Sequence, residues 1–164
     1  MLRPATADDV GTAAAVWAGA WRDGHLGHVP PELVEAREDE YFSERLAALL
    51  PHVTLAEHDD RVVGVLIVVE DELQQVMVSA AARGLGLGAR LLAEGERIVR
   101  DAGHALAWLA VVPGNTAARG FYEAHGWRDA GERIYRSQTR GEATVPVPIR
   151  RYEKAVVLDA FTGS

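Results

Sequence analysis

The run Val76-Met-Val-Ser-Ala-Ala-Ala-Arg-Gly-Leu-Gly-Leu-Gly88 sets an arginine and three alternating glycines between an apolar segment and an amphipathic one. Backbone N–H groups at a helix start lack intrahelical acceptors and sit at the positive end of the helix dipole, so they attract anions. Glycines at 84, 86 and 88 remove the β-carbons that would hold a diphosphate away from those donors. Arg83 adds charge-assisted hydrogen bonding at the entrance. The chemistry predicted is pyrophosphate binding, against the plainer reading of a glycine turn packed on a sheet without ligand.

Two nucleotide motifs compete for the same residues. Gly84-x-Gly86-x-x-Ala89 satisfies the dinucleotide fingerprint, which belongs after the first strand of a βαβ unit with an acid ending the next strand. Here several strands come earlier, and the next one ends Leu109-Ala-Val-Val-Pro113 with no acid. A P-loop calls for Gly-Lys-Ser/Thr where this chain has Gly88-Ala89-Arg90. A Rossmann-type NAD(P)-binding protein is therefore the third-ranked reading.

Other residues could handle protons. Tyr122 carries a hydroxyl of pKa about 10, able to give a proton or a hydrogen bond to a basic leaving group. Phe121 and Tyr122 point about 100° apart on a helix, so one of them belongs to the core. Glu72 precedes the strand leading to the glycine turn and is the candidate general base, against its reading as a solvated turn carboxylate beside Glu70 and Asp71. A lysine-like amine costs about 4–5 kcal/mol to present neutral at about pH 7, an α-amine only about 1–1.5 kcal/mol, so a base matters most for the former. Trp21, His25, His28 and Tyr41 cluster in the first helical region and are candidate acceptor-side residues. With no acid beside the histidine pair, no metal site is expected.

These groups need elements to position them. A short strand at residues 2–4 precedes a Thr6–Asp9 capping pattern and an Ala-rich helix to about residue 20. Residues 21–31 read as a loop, and Pro31 as the first turn of one helix running to about Leu49. A hairpin at 53–57 and 61–69 follows, then a strand at about 73–78 and a helix from Leu87 to about Ala102, ended by Gly103. Residues 105–112 read as a buried strand, and Asn115 as the cap of a short helix closed by Gly126. Strands at 127–136 and about 149–158, joined by a loop at 137–148, complete an order of β-α-α-β-β-β-α-β-α-β-β. That order implies a single α/β (α+β) domain over residues 1–164, a mixed sheet of about seven strands flanked by helices.

Composition sets the outer limits. With 17 Lys plus Arg against 24 Asp plus Glu, the formal charge of -7 argues against nucleic-acid and anionic-membrane partners. The absence of cysteine excludes thiolate nucleophiles and disulfides. No apolar leader and no spanning segment is evident, and a cytoplasmic protein is expected.

Val78-x(4)-Arg83-Gly-x-Gly-x-Gly88, followed by Asn115-x-x-Ala118-x-x-Phe121-Tyr122-x(3)-Gly126-Trp127, resembles the GNAT (Gcn5-related) superfamily of acyl-CoA-dependent N-acetyltransferases over residues 73–127. Ala80 departs from the family's frequent proline, Trp127 from its commoner Phe, and Gln74 and Gln75 stand where some relatives carry a catalytic acid. The resemblance implies a mostly antiparallel sheet splayed open around acyl-CoA. It implies pantetheine pairing with the backbone of Met77 and Val78, and pyrophosphate held by Arg83, Gly84, Leu85, Gly86, Leu87, Gly88 and Ala89. Asn115 and Ala118 would stand beside the pantetheine and Tyr122 near the thioester sulfur. The function implied is acetyl transfer from acetyl-CoA to a primary amine, small-molecule or peptide, by direct attack in a ternary complex. A non-catalytic acyl-CoA sensor is the alternative, and a homodimer through the last two strands is plausible.

Overall fold

Residues 61–69 are apolar on both faces, and they form a strand covered by helices on both sides. The structure, a computed structural model, describes residues 1–157; position 158, the expected end of the last strand, lies outside the described residues. Seven strands make one sheet: β1 (Leu2–Pro4), β2 (Val53–His58), β3 (Arg61–Val69), β4 (Glu72–Val78), β5 (Leu106–Val111), β6 (Arg128–Gln138) and β7 (Thr144–Ala155). Their spatial order is β1-β2-β3-β4-β5-β7-β6, antiparallel throughout except between β4 and β5.

Five α-helices cover it: α1 (Val10–His25), α2 (Pro31–Ala36), α3 (Asp39–Ala48), α4 (Leu87–Asp101) and α5 (Thr116–Ala124). One apolar layer joins α1, α2 and α3 to one face of the sheet, through Trp17, Trp21, Leu33, Phe42 and the inward side chains of β2 and β3. The other joins α4 and α5 to the opposite face through Leu91, Leu92, Val99, Trp127 and Tyr152. Helix α4 comes close to the sheet because Gly95 and Gly64 carry no β-carbon. A Cβ on Gly95 would sit 2.6 Å from Leu73 Cδ2, and one on Gly64 2.8 Å from Leu91 Cδ1.

Three local expectations are corrected. Helix α1 runs on to His25 instead of ending near residue 20, because Trp21 is buried and its ring stacks on His25 at 4.5 Å, which favours helical spacing over a loop. The second helix is broken at Arg37 and Glu38, where Arg37 takes a non-helical φ/ψ of −109°/65°, Glu38 is extended, and the Arg37 side chain turns inward. The expected loop at 137–148 is mostly strand, β6 and β7 forming a long hairpin. Pro146 and Pro148 are tolerated there because they precede the first β5 pair of β7, Arg150–Val111, where β7 has only β6 beside it.

Candidate functional site

The sheet splits between β4 and β5. Glu72 and Trp108 are the single paired position of these strands, while β5 and β7 pair at six positions from Leu106–Ala155 to Val111–Arg150. The pairing is pinned at one end by Asp71: its carbonyl accepts from the Trp108 N–H at 3.0 Å, and its Oδ1 accepts from the indole Nε1 at 3.2 Å. Beyond that clamp the strands diverge, leaving backbone groups of β4 without a neighbouring strand.

A bulge decides which groups those are. Ile67 pairs with Gln75 but Val68 with Leu73, so Gln74 has no partner on β3 and the alternation of β4 is reset. The Ser79 N–H donates to Val63 O at 2.8 Å, which puts Ser79, Met77 and Gln75 in the β3-facing set. Val76 and Val78 therefore direct their N–H and C=O groups into the split. Met77 spends its backbone on Val65 and offers only its side chain to the cavity. Of the two residues expected to pair with pantetheine, Val78 faces the split with its backbone and Met77 faces β3.

Where β4 ends, the chain passes a 3-10 turn (Ala80–Ala82) and reaches Arg83 and the glycines. Gly84 and Gly86 adopt φ of 85° and 77°, values that L-residues with a β-carbon avoid, and Gly86 caps α4. Among the described residues no side chain caps this helix, so the first N–H groups of α4 have no protein acceptor there. Leu85 is exposed, Leu87 is buried beneath the turn, and Gly88 lies under the Phe121 ring at 3.5 Å from its virtual Cβ. Arg83 bridges Asp23 of α1 at 3.2 Å with both side chains about half exposed, a contact weak enough to yield to a stronger anion.

A cavity of about 160 Å³ passes through the split, walled on one side by Val76, Leu109, Ala118 and Tyr122 and on the other by Trp21, His25, Arg37 and Glu72. Asn115 is the N-cap of α5, its Oδ1 accepting from the Ala118 N–H at 3.2 Å, and it also lines the cavity. Tyr122 rather than Phe121 reaches the cavity wall; among the described residues its hydroxyl has no hydrogen-bond partner, and burial pushes its pKa up to about 12. It is therefore a persistent neutral donor. Full proton transfer from it to a thiolate of about 8.5 costs about 5 kcal/mol, so hydrogen bonding is its better role.

Glu72 is drawn into this cavity instead of standing in solvent with Glu70. Burial raises its pKa above the usual carboxylate value, opposed by a 2.8 Å hydrogen bond from the Tyr135 hydroxyl to its Oε2. His25 donates from Nδ1 to Trp21 O at 2.7 Å in its neutral form, and burial lowers its pKa to about 4, so it stays uncharged. His28 and Tyr41 do not reach the cavity wall: His28 lies exposed over Gly114, and Tyr41 is buried against Trp17 and Phe42. Arg37, Ser137 and Tyr135 belong to the cavity and escaped the sequence reading. Arg37 sits in a charged run that resembles a solvated face, and the other two fall on or beside an expected loop.

The family model of the acetyltransferase (GNAT) family matches residues 16–127, more than half of the chain. The chain belongs to that family. Solved structures agree on the GNAT fold. A GCN5-related N-acetyltransferase from Rhodopseudomonas palustris superposes with a TM-score of 0.74 at 19% identity, over 94% of this chain and 94% of that one. The PaiA N-acetyltransferase from Thermoplasma acidophilum in complex with coenzyme A gives 0.70 at 19% identity, over 94% and 98%. The YncA protein from Salmonella typhimurium, with its cofactor acetyl-CoA, gives 0.65 at 16% identity, over 98% and 95%. No curated protein is a significant match. Among the described residues no group of acids and histidines is placed to hold a metal, and no helix is long and apolar enough to cross a membrane.

Proposed function

We propose that the protein transfers an acetyl group from acetyl-CoA to a primary amine, by direct attack in a ternary complex. The reading is supported by one observation above others: the strand edge exposed by the split, ending in Val78, runs directly into an uncapped helix start built on Gly84, Gly86 and Gly88. The split offers Val76 and Val78 backbone groups to an extended amide-bearing arm, and the turn offers N–H groups and Arg83 to a diphosphate. Those are the two polar parts of coenzyme A, so the residues fit the group.

When bound, acetyl-CoA supplies an acyl thioester activated for attack by nitrogen. The Val78 N–H is held by the sheet and faces the split, where it stabilises negative charge developing on the acyl oxygen. The Tyr122 hydroxyl donates a hydrogen bond to the departing sulfur. Glu72, across the cavity, takes the proton of the incoming ammonium, directly or through water, and its raised pKa suits that task. Asn115 keeps the cavity edge in place as the cap of α5 and presents its amide to the pantetheine.

The test is thiol release from acetyl-CoA across a broad panel of amines, with a thermal-shift screen over acyl-CoAs and NAD(P). Release that depends on added amine supports transfer. Stabilisation by acyl-CoA with no release from any amine supports a sensor instead, and protection by NAD(P) but not coenzyme A contradicts both.

A further inference from the structure

Arg37 is more than nine-tenths buried, 8% exposed, and its side chain lines the cavity. A buried guanidinium ordinarily has a carboxylate beside it, because an uncompensated charge in a desolvated site is costly. Among the described residues Arg37 has none. Of the acids near it in sequence, Glu35 and Glu38 make no ion pair with it, and Asp39 is engaged by Arg22 at 2.9 Å. Glu72, across the cavity, accepts from Tyr135 instead.

What Arg37 does contact leaves its binding edge free. Its guanidinium carbon lies 4.9 Å from the Trp21 ring centroid and 4.6 Å from that of Tyr41, so aromatic rings occupy its π surface. Its Nε donates to Gln138 O at 3.2 Å. None of the other four N–H donors an arginine carries makes a well-formed hydrogen bond among the described residues, although the Tyr41 hydroxyl lies near enough to favour the charge. Beside that backbone contact stands Ser137, also 8% exposed and also on the cavity wall, whose hydroxyl has no protein hydrogen bond among the described residues. A fixed fork of N–H groups next to a hydroxyl suits the paired oxygens of a carboxylate or phosphonate.

We infer that Arg37 and Ser137 receive an oxyanion of the acceptor, so the amines acetylated are those carrying a carboxylate or a phosphonate, amino acids among them. The inference rests on the acetyl-transfer reading for the word acceptor, though not for the site. The surrounding groups agree: His25 is neutral, Arg45 adds positive potential, and Glu72 is placed to meet the amine end of the same molecule. The protein's net charge of -7 favours cationic partners in bulk, yet within the cavity Arg37 gives an oxyanion a partner of its own, with the Glu72 carboxyl across from it.

The experiment compares kcat/KM for amino acids, their primary amides and their aminophosphonate analogues in the native protein, Arg37→Gln, Arg37→Lys and Ser137→Ala. Acids should exceed amides by about ten- to hundredfold, the ratio falling towards one in Arg37→Gln, with Arg37→Lys between because the fork is lost. The relative rates of carboxylates and phosphonates tell which oxyanion the site takes. Equal rates for acids and amides in the native protein overturn the inference, as does a ratio left unchanged in Arg37→Gln or, should that variant not fold, in Ser137→Ala. In parallel, N-acetyl amino acids are titrated by thermal shift with coenzyme A present. Stabilisation lost in the variants, with no amine ever acetylated, sinks the transfer reading and keeps the anion site. Acetylation of neutral amines without acid preference does the reverse.

Discussion

The hydroxyl of Tyr135 donates a 2.8 Å hydrogen bond to Oε2 of Glu72 across 63 positions of sequence, tying β6 to the start of β4. Burial raises the pKa of Glu72; this bond, a hydrogen bond with Gln74 and the charge of Arg151 pull it back down, while Asp71 pushes it up. The sign of each variant follows. Tyr135→Phe removes a bond to the ionised form, so the ascending limb of kcat/KM moves to higher pH. Glu72→Gln abolishes that limb and lowers kcat/KM about 10²- to 10³-fold for lysine-like amines but less for α-amines, which need less help to lose a proton. A pH–rate profile on both amine classes reads the two effects. An unshifted limb in Tyr135→Phe excludes Glu72 as the group that titrates.

Tyr122→Phe removes a hydroxyl that burial holds protonated, with a pKa near 12. The variant should lower kcat about 10- to 100-fold while coenzyme A affinity changes little. A loss confined to affinity would make Tyr122 part of the cofactor wall alone.

Asn115 combines two roles that one substitution can separate. Asn115→Asp keeps an oxygen for the Ala118 N–H and so keeps the cap, yet removes the Nδ2 donor on the cavity side. Stability should stay within about 0.5 kcal/mol while coenzyme A binding weakens severalfold; Asn115→Ala should cost about 1 kcal/mol as well. Calorimetry and chemical denaturation check both. Unweakened binding in Asn115→Asp leaves the residue as a cap only.

His25 links the cavity to acid stability. Its folded pKa of about 4 lies below the unfolded value near 6.5, so the unfolded chain binds the proton more readily between those values. The stability associated with neutral His25 is complete above about pH 6.5 and is lost as pH falls towards about 4, by up to about 3 kcal/mol. Denaturation midpoints across that range should flatten in His25→Gln. An identical acid slope in the variant would place the sensitivity elsewhere.

Much of this architecture was legible before any coordinates. β3 and α4 announced themselves because an apolar run and a helical repeat are local signals, and the glycine turn because each of its residues has a backbone reason. The bulge at Gln74 had no such signature, yet it decides that Val76 and Val78, not Met77, face the split. Arg37 was hidden for a related reason. Arg37-Glu-Asp-Glu40 reads as a hydrated charge run, and only the packing of α1 and α3 against β6 turns its first member inward. Sequence periodicity reports faces of an element; it does not report which cation a distant strand will desolvate.

The central claim is that the backbone between Arg83 and Ala89, continued along Val76 and Val78, holds coenzyme A. Amide NMR during a titration with coenzyme A addresses it residue by residue. The account predicts that the N–H signals of Gly84, Gly86, Gly88, Val76 and Val78 shift together at stoichiometric ligand, and that Gly86→Ala weakens binding about tenfold or more through strain at a φ of 77°. Shifts confined to other parts of the chain, with these amides unmoved at saturation, would contradict it.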